Sequence, residues 1–244
     1  MSAFMAVYLR EILILKRRLK RHLAGQAISP LLYLLTFGCA LGGSLTMDGR
    51  SYSEFLIPGL AAMASVIQGF SLAGDINVAR FYYQVFDEIQ AAPVNSLAYV
   101  LGESLAGLTR VFLAVFLVII LGWLFGVKLY YGPFFWLALV LNGLAFSALG
   151  VAMAMLVKSH ADQSLLTNFI ITPMSFLGGT FFPIESLPAW AQNLLWLLPL
   201  SHAAKATRAE AFGLPPDINN FLVLALSLAL FLSLAMWAVG KAKA

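Results

Sequence analysis

An all-α integral membrane protein is the fold class this chain predicts, and three observations carry the prediction. Hydrophobic residues fill 61% of the 244 positions and charged residues only 11%, well under the quarter or so of charge carried by a water-soluble domain. The apolar residues gather into six runs of the length a membrane helix needs, roughly 20 residues. No hydrophilic stretch between them is long enough to fold alone, so residues 1–244 read as one polytopic domain.

The chain opens on a basic segment. Six of its fifteen basic residues, Arg10, Lys16, Arg17, Arg18, Lys20 and Arg21, lie in the first 21 positions. Phe4, Tyr8, Ile12, Leu15, Leu19 and Leu23 recur at the spacing of one helix face. Residues 1–26 are therefore expected to form an amphipathic helix at the membrane interface, or an exposed basic helix leading into it. Anionic lipid at a cytoplasmic surface is its natural counter-charge, and the net charge of +4 is too small to imply nucleic acid. No small-residue cleavage motif follows, so the segment does not read as a signal peptide.

The six expected spans are Ala27 to Leu45, Phe55 to Leu72, Leu105 to Phe125, Phe134 to Val157, Leu165 to Phe182 and Phe221 to Val239. Pro30 and Pro58 are expected in the first turns of their spans, where a missing N–H costs little. With the N-terminus inside, ten basic residues face the cytoplasm and four, Arg50, Lys128, Lys205 and Arg208, face outward. That asymmetry predicts both termini in the cytoplasm. Small residues in the fourth span, among them Gly143, Ala148 and Gly150, predict close helix packing. Cys39, the single cysteine, lies in an apolar run and reads as an inert thiol.

Catalytic signatures are missing. There is no G-x-x-x-x-G-K-[ST] to cradle a nucleotide, no H-E-x-x-H for zinc and no G-x-S-x-G for a nucleophilic serine. Ionisable residues inside spans remain functional suspects. Arg110 is one, with Glu103 seven residues earlier, about 10 Å away along the axis and too far for a simple pair. Snorkelling of Arg110 to the cytoplasmic interface accounts for its charge. Gln68, Asn142 and Asn168 are single amides expected to bridge helices.

Two stretches between spans are more specific. Residues 80–93, Arg-Phe-Tyr-Tyr-Gln-Val-Phe-Asp-Glu-Ile-Gln-Ala-Ala-Pro, place Phe81, Val85 and Ile89 on one helical face with Asp87 and Glu88 opposite. Further on, Gly178, Gly179, Pro183 and Pro188 break an apolar run, and Pro199-Leu200-Ser201-His202 with Arg208 follows. Broken backbone at membrane depth is tolerated only inside protein or beside water. The segment from Phe176 to Arg208 thus rests at the surface or re-enters the membrane, with Trp190 and Trp196 as interfacial anchors. A lone His202 after a proline reads first as a packing or hydrogen-bonding residue.

The order of a basic helix, six spans, D-E-I-Q-A-A-P-V after the second, then F-L-G-G-T-F-F-P-x-x-x-L-P and P-L-S-H-x-x-x-x-x-R resembles the permease subunit of type-2 ATP-binding-cassette (ABC) exporters. Within that class it is similar to the branch handling drugs, polysaccharides and nodulation-type lipo-oligosaccharides. The resemblance implies a coupling helix at about 80–93, carrying Asp87, Glu88, Ala92 and Pro93 into a groove of the ATPase subunit. Gln90 departs from the apolar residue often found there.

The resemblance further implies an external re-entrant segment at 183–217, with a gate that includes Gly178, Gly179, Pro183, Pro188, Pro199, His202 and Arg208. Residues 27–182 then hold the first five spans, and 218–244 the sixth with a cytoplasmic tail. Two copies of the chain and two separate ATPase subunits are implied, in a bacterial inner membrane. ATP and Mg would sit on those subunits, with no cofactor or metal on this chain. The expected cargo is amphipathic or lipid-linked: a glycolipid, lipo-oligosaccharide, polysaccharide or drug. Two other readings stay open: a membrane-embedded lipid-modifying enzyme, with Ser201, His202 and Glu210 as its polar cluster, and a non-transporting scaffold.

Overall fold

The computed structural model describes residues 2–39, 46–47, 49–86, 92 and 94–243. Nine α-helices are described: α1 Ala3–Tyr33, α2 Tyr52–Phe81, α3 Ser96–Leu124, α4 Pro133–Leu156, α5 His160–Leu166, α6 Thr172–Leu177, α7 Ala189–Trp196, α8 Pro199–Ala211 and α9 Ile218–Lys243. A two-stranded hairpin, β1 Thr46–Met47 and β2 Arg50–Ser51, pairs Thr46 with Ser51 and Met47 with Arg50.

Four of these helices, α2, α3, α4 and α9, are long and apolar enough to cross a bilayer. They match the expected second, third, fourth and sixth spans. Each starts earlier than the apolar run alone suggests, and in α2 and α3 a polar cap precedes it. Ser51 and Glu54 form a reciprocal capping box on α2. Asn95 Oδ1 accepts from the Ala98 N–H at the start of α3. Pro58 consequently lies past the first turn of α2, correcting its expected place, and it removes the donor that Glu54 O would otherwise meet.

The other two expected spans are composite. α1 passes without a break through positions 26 and 27, carries Pro30 inside its last turn and continues as a π-helix over Leu34–Cys39. Pro30 is therefore near a helix end and not at a span start. Leu165 to Phe182 is divided among α5, a π-helix at Thr167–Ile171, α6 and a turn.

The core gathers around α2. On one side Leu72 packs with Phe146 of α4, Leu200 of α8 and Leu224 of α9. On the other, Leu56 and Ile57 pack with Val115 of α3 and Phe135 of α4. Small residues set the spacing as expected: a Cβ on Gly69 would lie 2.8 Å from the Gly143 carbonyl. α9 leaves Leu222, Leu226 and Leu230 exposed at four-residue intervals, an apolar stripe suited to lipid or a second protein surface.

An amphipathic cavity and two arginine anchors

Arg110 anchors the first functional feature. It sits midway along α3 and is 3% exposed. Its guanidinium donates to Asp75 Oδ2 on α2 and lies 3.4 Å from Glu11 Oε2 on α1. Arg10 Nη1 donates to Glu11 Oε1 at 3.0 Å and stands 3.9 Å from Glu103 Oε1. Tyr8 Oη and Thr109 Oγ1, 3.2 Å apart, share a hydrogen bond at the same crossing.

This arrangement overturns the snorkelling expectation for Arg110. An unpaired arginine away from water costs several kcal/mol, and here two carboxylates from neighbouring helices neutralise it. α2 runs on to Phe81, which carries Asp75, itself exposed, up against Arg110, and α1 lies along α3, which brings the buried Glu11. The buried stripe of α1 is Val7, Glu11 and Leu15, which shares only Leu15 with the apolar face expected from spacing and has a carboxylate at its centre. Glu103 does not pair with Arg110, in line with their expected separation.

Next to this cluster lies a cavity of about 700 Å³, bounded by α1, α2, α3 and the broken segment 167–176. One stripe of α1 lines it: Ile14, Arg18, Arg21, His22, Gly25, Gln26, Ser29 and Tyr33. α2 adds Leu60, Met63, Ile67 and Gln68, and Phe176 adds an aromatic face. Tyr33 meets Phe176 and Phe181 edge-on, with centroids 6.0 and 5.1 Å apart. The wall is thus apolar and aromatic near Tyr33 and basic near Arg18 and Arg21, roughly 18 Å away along α1.

Amides cross the middle. Gln26 Nε2 donates to Gln68 Oε1 at 2.7 Å and also contacts His22 Nε2. Gln68 therefore bridges helices, as expected, and in addition lines the cavity. Asn142 Nδ2 donates to Ser65 Oγ at 2.7 Å, a second bridge, between α4 and α2. Asn168 is exposed on the π-helix.

Arg208 of α8 is the second anchor, 9% exposed. Its Nε donates to Phe55 O at 3.1 Å, its Nη2 donates to Gly179 O and Thr180 O, and its guanidinium lies over the Phe55 ring. Gly59 makes room for it, since a Cβ there would lie 2.5 Å from Arg208 Nη2 and 2.7 Å from Thr180 O. Thr207 Oγ1 donates to Ala203 O at 2.8 Å on the neighbouring turn. The turn at Gly179 and Thr180 and helix α8 are thereby fastened to the start of α2.

Each proline expected in the gate begins a helix. Pro183 precedes the 3₁₀ turn Ile184–Ser186, Pro188 precedes α7, and Pro199 is the first residue of α8. Gly179 turns the chain at φ 82°, and Gly178 packs against Leu200. Glu185 pairs with Lys205 at 2.7 Å, bridging this segment to α8. Partial burial alone would raise the Glu185 pKa, but the Lys205 contact and the backbone hydrogen bond outweigh it and hold the carboxyl below its ordinary value.

His202 Nδ1 meets Asn220 Oδ1 at 2.8 Å, and Nε2 donates to Trp196 O at 2.7 Å. Both ring nitrogens are engaged structurally. Ser201 and His202 are adjacent on a helix and do not face one another, and Glu210 is about 12 Å further along the axis. The three do not converge as the enzyme reading requires.

Of the helix expected over about 80–93, residues 80–86 and 92 are described. α2 runs through Arg80 and Phe81, Gln84 turns at φ 55°, and a helical turn restarts at Val85. Phe81 and Val85 therefore belong to separate helices. Arg80 Nη1 donates to Ala154 O and Met155 O at 3.2 and 2.8 Å, tying the loop to the C-terminal carbonyls of α4. Ala92 is exposed in a turn; Asp87, Glu88 and Pro93 lie outside the described residues.

Residues 2–212 match the family model described as ABC-2 type transporter. The chain is 27% identical over 234 residues to the inner membrane transport permease YadH of Escherichia coli (strain K12), covering 94% of this chain and 91% of that one. It is 30% identical over 219 residues to nodulation protein J of Rhizobium meliloti (strain 1021), covering 87% and 82%. It is 28% identical over 209 residues to the daunorubicin resistance ABC transporter permease protein DrrB1 of Streptomyces coeruleorubidus, covering 82% and 72%.

Proposed function

The chain belongs to the ABC-2 type transporter family as a permease, and we propose that it carries an amphipathic or lipid-linked cargo out of the cytoplasm or the inner leaflet. The observation that carries this reading is the cavity behind α1, whose wall passes from aromatic and aliphatic side chains to basic ones. A molecule with one apolar and one polar part satisfies both ends.

In this reading the chain makes six crossings of the inner membrane with both termini in the cytoplasm. The two composite segments, α1 with its π-helix and α5 through α6, supply the crossings beyond the four long helices. Two copies associate, each with a separate ATPase subunit that holds ATP and Mg. Closure of those subunits pushes on a coupling helix at about 80–93, carrying Asp87, Glu88, Ala92 and Pro93, and Arg80 passes the push to the end of α4. Residues 183–217 form the external gate, fastened by Arg208.

The test is co-purification of the chain with the ATPase encoded beside it, followed by ATP hydrolysis in lipid nanodiscs. Association and hydrolysis stimulated by amphipathic compounds are expected. A chain that moves cargo without any ATPase partner, or binds none, overturns the reading.

A further inference from the structure

Among the charged residues on the cavity wall, those on α1 stand out. Arg18 and Arg21 are three residues apart and share the stripe that continues to Tyr33. Among the described residues neither carries an ion pair. The remaining charges on the wall, Arg110 and Asp75, neutralise one another, so the basic end keeps a net charge of about plus two. Lys16 and Lys20 belong to the same basic helix but are not on the cavity wall. Arg18 and Arg21 are exposed and border the basic surface patch of Lys16, Arg17 and Lys20, but unlike those three they also line the chamber, at the end away from its aromatic wall.

We propose that this cavity binds an amphiphile with an anionic head, a phosphate or carboxylate held by Arg18 and Arg21, with its apolar chain lying toward Ile67, Tyr33 and Phe176. The inference rests on the exporter reading for its biological meaning but not for its geometry. Arginine suits the task because its planar fork matches both anions in a bidentate manner. The aromatic end offers faces to an acyl or ring system without demanding a particular shape.

The full chain in nanodiscs of neutral lipid tests it. Ile67→Cys, on the cavity wall, in a Cys39→Ser background supplies a reporter whose maleimide labelling slows when the cavity is filled. Dodecyl phosphate is expected to protect it at about tenfold lower concentration than the uncharged dodecyl glucoside, the scale of one charge-assisted contact. Arg18→Gln with Arg21→Gln should erase that difference, and Arg18→Lys with Arg21→Lys should restore part of it, which excludes misfolding as the cause. Lys16→Gln with Lys20→Gln should leave it intact.

Equal protection by both probes overturns the proposal, and so does equal loss in the lysine pair, which would mean only surface attraction to bilayer headgroups. Neither result touches ATPase association. A chain that keeps the tenfold preference yet recruits no ATPase would instead sink the exporter reading.

Discussion

The Arg208 guanidinium lies 3.7 Å above the Phe55 ring centroid while its Nε donates to the carbonyl of the same residue. One side chain thus grips both the backbone and the ring at the start of α2, and with its Nη2 holds the turn at Gly179 and Thr180. Arg208→Ala should lower stability by about 3 kcal/mol, the scale of buried hydrogen bonds to a charge. Arg208→Lys should recover little, because an ammonium lacks the planar fork. Thermal unfolding in detergent followed by gel filtration reads both; wild-type stability in either variant contradicts the anchor role.

Gly59 shares that site. Gly59→Leu should displace the guanidinium and destabilise to a similar extent, and the double variant with Arg208→Ala should be no worse than the more damaging single one. Additive losses in that cycle would show that the two positions act independently.

Removing Arg110 unbalances a buried carboxylate. Arg110→Gln leaves Glu11, 6% exposed, with Arg10 but not Arg110 beside it and should cost about 1 to 3 kcal/mol. Adding Glu11→Gln should return part of it, since the under-compensated buried charge is gone. Urea titration of the single and double variants distinguishes this from simple loss of packing, which the second substitution would not repair.

The contact between Glu185 and Lys205 sets a pH dependence. The folded carboxyl has a lowered pKa, so the stabilisation it contributes is full above the ordinary glutamate value of 4.5 and fades as pH falls through the depressed one. Unfolding temperatures of the wild type and Glu185→Gln should therefore differ at pH 7 and converge in acid. The pair is largely solvent-exposed, so the difference should also shrink with added salt. A gap that widens in acid contradicts the assignment.

Charge reversal at Asp87 and Glu88 together should weaken association with the ATPase subunit or its stimulation by cargo. Unchanged co-purification together with unchanged transport would remove the coupling role from this loop.

Much of this architecture is legible along the chain because four helices are single apolar runs, two of them opened by polar caps. Ser51 and Glu54 even announce the start of α2 with the S-x-x-E spacing, ahead of the apolar run at Phe55. What sequence reasoning missed was relational. Asp75 and Arg110 are 35 positions apart, and nothing local to either specifies that α2 and α3 bring them together. The place of Glu11 depends on α1 lying along α3, which spacing within α1 does not reveal. Pro199, His202 and Arg208 were visible as a motif, yet the acceptors of Arg208 are main-chain carbonyls, which every residue possesses.

α1 continues unbroken for 31 residues, a rod of about 46 Å at 1.5 Å per residue. Its ionic clasp to Arg110 sits near one end at Glu11, and Tyr33, about 33 Å further on, touches Phe176 and Phe181. A tilt of about 5° about Glu11 corresponds geometrically to roughly 3 Å at Tyr33. One straight helix thus joins an ionic contact near its start to the aromatic wall of the chamber near its end.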